Sequence, residues 1–206
     1  MKKKVLIAVC ALGFAAVLWI GGSEAAVSDI SNHLIRLHIL ANSDSAEDQA
    51  VKLAVRDRVL EFVRENGDTW DKAYLEENLS EIVSICKESI REQGYDYSVR
   101  AVVGRFYFPT KQYENIMLPA GEYDAVRIII GSGNGKNWWC VMYPPLCFTE
   151  ETKGKIAEKE MESLSAGMCG ESFEMIQTDG EEITIKPAFK LVEWWQEVKH
   201  ALLEDE

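Results

Sequence analysis

Residues 131–148, GSGNGKNWWCVMYPPLCF, hold more costly residues than any other part of the chain: Trp138 and Trp139, Cys140 and Cys147 seven positions apart, and Pro144-Pro145. The apolar run 123–130 leads into them. Two β-rich runs, DAVRIII and NWWCVMY, flank a Gly/Asn loop with the turn dipeptide Asn134-Gly135, a pattern that predicts a central β-hairpin with a long loop. Glycines and Lys136 after a strand also invite a phosphate-loop reading, but the spacing fails. The first glycine of that motif falls on Ile130 and the residue after Lys136 is Asn137. The dinucleotide fingerprint breaks as well, since its last glycine falls on Lys136 and a strand follows instead of a helix N-terminus. No cofactor is expected.

The chain opens with Lys2, Lys3 and Lys4, an apolar run over 5–20, and GGSEAA. That order matches a secretory leader, with Ser23 and Ala25 as the small residues before a cut after Ala25 and Ala26 as a close alternative. The run is short for a bilayer span, which needs about 20 residues. Residues 1–26 are therefore expected to be a signal peptide or a retained membrane anchor, and 27–206 a single extracytoplasmic domain. Three of the 22 Lys and Arg precede Ser23, so 34 acids stand against 19 bases from Glu24 onward. This excess excludes nucleic acid as a partner and leaves membrane contact to the N-terminal segment alone.

Four cysteines remain after export, an even number in a compartment where disulfides persist. Cys140 and Cys147, either side of the Tyr143-Pro144-Pro145 bend, are the preferred bridge, against the alternative that Cys86, Cys140, Cys147 and Cys169 are all small buried hydrophobes.

Along the chain, LIRLHIL over 34–40 alternates as a strand with one apolar face. Asn42, Ser43, Asp44 and Ser45 form a turn into a helix cap, with Ser45 and Asp48 spaced as a capping box. Val51, Val55, Val59 and Phe62 mark one amphipathic helix ending at Asn66-Gly67-Asp68. Asp71 caps a second, carrying Leu75, Leu79, Ile82, Val83, Cys86 and Ile90 until Gly94. A long strand over 97–108 stops at Pro109, and 110–121 reads as a loop. Residues 150–180 read as a variable charged excursion, 183–186 as a short strand, and Pro187 as the first turn of a last helix with Phe189, Val192, Trp195, Val198 and Leu202 on one stripe. The expected fold is α+β: a small, mostly antiparallel sheet with a central hairpin, two consecutive amphipathic helices on one face and a C-terminal helix.

Catalytic chemistry would pair a cysteine with a histidine, and His38 alone sits in an ordered strand. The acidic, aromatic surroundings of Cys140 do not promise the electropositive pocket a reactive thiolate needs, so His38 reads as a half-buried strand residue or a partner of the Asn42 to Asp44 turn. Cys-x6-Cys is not a zinc spacing and His33 with His38 lacks a second pair, so no metal is expected. Trp138 and Trp139 face opposite sides of a strand, so one of them points outward, either covered or anchoring an interface. Trp194 and Trp195 pose the same question on a helix.

The strings over 34–57 (LIRLHILANSDSAEDQAVKLAVRD), 118–127 (LPAGEYDAVR) and 131–148 are similar to those of the stage II sporulation protein R family of endospore-forming bacteria. The resemblance implies a secreted signal rather than an enzyme, made in the forespore and exported into the septal space between two membranes. There it would activate a membrane-embedded aspartic protease of the mother cell, which processes the precursor of the mother-cell sigma factor. The family brings no catalytic residues. The interface candidates are Arg36, His38, Asn42, Ser43, Asp44, Arg127, Lys136, Asn137, Trp138 and Trp139. The competing classes are a secreted cell-wall or thiol-active enzyme using Cys140, and a passive septal structural protein.

Overall fold

A computed structural model describes residues 10, 11, 14, 21–66, 71–113, 115–144, 146–147, 158–178 and 187–204. A helix over residues 21–32 (α1) is followed by β1 (Ile35–Leu40), α2 (Ala46–Glu65), α3 (Lys72–Glu77), α4 (Leu79–Glu92) and β2 (Val99–Phe108). Then come β3 (Lys111–Tyr113), β4 (Ile116–Leu118), β5 (Gly121–Ile130), β6 (Asn137–Tyr143), α5 (Glu158–Gly167), α6 (Gly170–Ile176) and α7 (Pro187–Glu204). The fold is α+β. The chain divides into two compact units, one of Ser31–Phe108 and Glu122–Gly167, the other of Met1–Ile30, Pro109–Gly121 and Met168–Glu206.

The larger unit holds a mixed four-stranded sheet in the order β2-β5-β1-β6. β1 runs parallel to β5, with His38 opposite Arg127, and antiparallel to β6, with His38 opposite Trp139. The expected central hairpin is not formed, because β1 lies between its two arms. The physical reason is reach and burial. The loop 131–136 has length enough to cross two strand spacings of about 4.8 Å each. The strand with apolar residues to bury on one side and aromatic contacts on the other takes the centre. Asn134-Gly135 therefore makes no tight turn: its amides donate to the carbonyls of Asn42 (3.2 Å) and Ala41 (2.9 Å) at the end of β1.

One face of the sheet carries Ile35, Leu37, Ile39, Val126, Ile128, Ile130, Cys140 and Met142 into a core shared with Val51, Val55, Val59 and Leu60 of α2 and Ile82, Cys86 and Ile90 of α4. At roughly 25 cal/mol per Å² of apolar surface, this burial is the main stabilising term. Ser45 caps α2, its hydroxyl accepting from the Asp48 amide at 3.1 Å. The reciprocal half of the capping box is replaced: the Asp48 carboxylate instead takes the side chains of Asn42 and Ser43. Asp71 caps the next helix through the Tyr74 amide at 2.8 Å. The single helix expected from there to Gly94 is broken in two at Asn78, whose side-chain amide donates to the Tyr74 carbonyl at 2.8 Å. A side chain that competes for backbone acceptors ends a turn that apolar spacing alone would continue.

In the smaller unit, the segment expected to be a loop over 110–121 contains the antiparallel pair β3-β4, with Gln112 opposite Met117. Ile116 also bridges Gln177 after α6. Strands of three residues carry too little periodicity to stand out in a sequence. Helix α7 begins at Pro187 and docks on the N-terminal helix: Glu24 accepts from Trp195 Nε1 (2.7 Å), Gln196 Nε2 (3.2 Å) and Lys199 Nζ (3.0 Å). Burial opposes ionisation of Glu24, but the bonds from Lys199, Trp195 and Gln196 outweigh it and hold the carboxyl below its ordinary range. Among the described residues, no helix is long and apolar enough to cross a membrane. The strand expected over 183–186 lies outside the described residues, as do parts of the excursion over 150–180, of which α5 and α6 are helical.

Candidate functional site

Two loops interlock where β1 and β5 end. The Ser132 amide donates to Asn42 Oδ1 (3.0 Å), its hydroxyl to the Asn42 carbonyl (2.7 Å), and the Lys136 amide to Asp44 Oδ1 (2.7 Å). Gln49 Nε2 donates to the Ser43 carbonyl at 2.9 Å, and Lys52 Nζ to the Lys136 carbonyl at 3.0 Å. The glycines follow from this closeness. Gly131 has φ +57°, and a Cβ on Gly135 would collide with the Ser43 carbonyl.

Asp48, buried beneath the turn, accepts from Asn42 Nδ2 (2.8 Å) and Ser43 Oγ (2.5 Å). The Ser43 bond above all, with those of Asn42 and Tyr97, holds its carboxyl below the ordinary range against the opposing effect of burial. Burial pushes the Lys52 amine down. The rim of this clasp exposes Asp44, Ser132, Asn134, Lys136 and Asn137 to solvent, while Asn42 and Ser43 are half-buried.

The sheet face away from the helices carries a second cluster. Arg36 is fully buried, its Nε donating to the Cys140 carbonyl at 3.0 Å and its guanidinium lying 4.4 Å from the Phe108 ring centre and 4.9 Å from that of Tyr123. His38 is 4% exposed and stacks on Trp139, with centroids 3.7 Å apart. Arg127 Nε lies 3.1 Å from His38 Nδ1. Arginine only donates, so Nδ1 is the acceptor, and Nε2 carries the proton and donates to Asn137 Oδ1 at 2.7 Å. Burial, with the neighbouring Arg127 charge, pushes the imidazole down to about 4 although the Asn137 bond works the other way. Arg127 also lies 3.9 Å over the Phe106 ring. Burial pushes its guanidinium down.

The expected candidates thus fall into three places. Arg36 and His38 lie inside the protein. Asn42, Ser43, Asp44, Lys136 and Asn137 form the clasp and its rim. Arg127, Trp138 and Trp139 are half-buried: Trp139 stacks on His38, and Trp138 packs on the helix side, with the Arg56 guanidinium 4.4 Å from its ring centre. The outward tryptophan on α7 is Trp194, 60% exposed. Asp48 and Phe108 organise the two clusters and were not among the candidates. Asp48 had a signal in its capping position, whereas nothing local in the sequence links Phe108 to Arg36.

Both ring nitrogens of His38 are engaged, and Cys140 is 2% exposed and joined to Cys147, with Cα atoms 5.5 Å apart. Burial pushes the Cys86 thiol up to about 12, so it carries no thiolate at neutral pH. Among the described residues, no group of three or more His, Cys, Asp or Glu is placed to hold a metal.

No solved structure matches the chain. A curated relative, the stage II sporulation protein R of Bacillus subtilis (strain 168), is 42% identical over 146 residues, which cover 66% of this chain and 63% of the relative. The family model described as stage II sporulation protein R matches residues 31–153, a stretch that contains the whole clasp and all four strands of the larger sheet. On this match over more than half of its length, the chain belongs to the stage II sporulation protein R family.

Proposed function

We propose that the protein is an exported sporulation signal, sent from the forespore into the septal space, where it binds and activates a membrane-embedded aspartic protease of the mother cell. That protease then processes the mother-cell sigma factor precursor. The action is that of a ligand: the domain binds the active state of the protease more tightly than the inactive one and shifts the population toward it. The observation that carries this reading is the family match over a stretch whose loops are locked into a rigid rim, with Asp44, Lys136 and Asn137 outward. A preorganised rim loses little freedom on binding. No specific observation favours a thiol enzyme at Cys140, whose sulfur is in a disulfide.

Co-expression in a non-sporulating host of the protease and the sigma precursor, with and without this protein in exported form, tests the proposal on a gel. Cleavage of the precursor is expected only with the exported protein. Lys136→Glu is expected to lower cleavage by about tenfold while leaving the urea midpoint unchanged, as loss of a rim charge pair does. Cleavage without the protein, by a protease shown to be competent, would overturn the reading.

A further inference from the structure

The junction at which the sequence places a leader cut, Ser23-Glu24-Ala25-Ala26, is helical in the folded protein and engaged by α7. Ser23 and Val27 are buried, and Glu24 accepts three side-chain bonds from Trp195, Gln196 and Lys199. A protease that reads a short sequence takes it as an extended strand, so these residues must leave the helix before they can enter an active site. Each bond from α7 opposes that local opening. Glu24 and Trp195 are 171 residues apart, so during export the junction appears long before the helix that covers it.

We propose that α7 guards the Ala25–Ala26 bond: once docked, it blocks hydrolysis by a signal peptidase, and the N-terminal segment stays attached. The reaction held back is the addition of water across that peptide, leaving a carboxylate on Ala25 and a free amine on Ala26. Cutting and docking therefore compete. A chain cut early loses Glu24 and with it the acceptor for Trp195, Gln196 and Lys199; a chain that folds first keeps its tether. This rests on reading residues 1–26 as a leader, and it goes beyond that reading by making the outcome depend on the far end of the chain.

The test is digestion of the full chain in detergent micelles by purified type I signal peptidase, following the cut by mass spectrometry, with a synthetic peptide of residues 10–35 as the unguarded substrate. Lys199→Ala and Trp195→Phe change α7 and leave the cut sequence untouched. The peptide is expected to be cut readily and the folded chain slowly. Each variant is expected to be cut about threefold faster than wild type, the factor that follows from losing one charge-assisted hydrogen bond on a half-exposed carboxylate. Lys199→Arg should restore the slow rate, which a general loss of folding would not do. Variants cut at the wild-type rate, with the peptide still cut, would overturn the guard alone. A peptide that is not cut would overturn both the guard and the leader.

Discussion

His38 meets Trp139 face to face, donates to Asn137 and accepts from Arg127, and the Arg127 contact requires the neutral ring because only an unprotonated Nδ1 accepts. A proton on Nδ1 would break the Arg127 bond and set two positive charges together. The consequence for stability has a definite sign. The imidazole titrates near 6.5 in the unfolded chain and at about 4 in the folded one, so between these values only the unfolded chain takes up the proton. Stability is full above 6.5 and falls as pH drops toward 4, by about 2 kcal/mol between pH 7 and pH 5. Urea midpoints at those two values measure it, and His38→Gln is expected to flatten the difference. An equal drop in the variant would mean that other groups take the proton. The alternation of Trp138 and Trp139 about the sheet was legible from a period of two. The burial of Arg36 was not, because its stabilisation comes from Phe108 and Tyr123, aromatic faces on other strands.

At the scale of elements, helix starts were the most legible features, since Ser45 and Asp71 cap through amides three residues away. Strand order was the least. A six-residue loop between two β-rich runs fits a hairpin and also fits a crossing over β1, and only the distant segment that fills the gap decides between them. The clasp of 41–45 and 131–136 shows the same limit: each loop has turn chemistry of its own, but the donors of 131–136 find their acceptors on 41–45. Gly135→Ala tests how closely the two must fit. The added methyl meets the Ser43 carbonyl and forces the loops apart, at the expense of the Gly135 amide bond to Ala41. A loss of about 2 kcal/mol is expected, the range for overpacking a close contact. Urea denaturation read by tryptophan fluorescence measures it, and an unchanged midpoint would show that the loops yield freely.

For the molecule as a whole, the disulfide joins two positions seven apart beside the core, with Cys140 and Cys147 2% and 3% exposed. Replacing both by serine is expected to cost about 2 kcal/mol from restored freedom of the unfolded chain. The comparison to make is wild type with and without a reducing agent in urea, where the doubly substituted chain should show no response to the reductant. The central place of β1 acts on a different axis, that of time. The first strand of the chain finds its neighbours only after β5 and β6 have been delivered, and the bond from Arg36 to the Cys140 carbonyl spans 104 residues. Loop closure on that scale makes folding slow compared with helical proteins. A chain that cannot complete its sheet until its middle has arrived stays open while it is being made, and acquires its rigid rim only once residues 131–137 have been delivered.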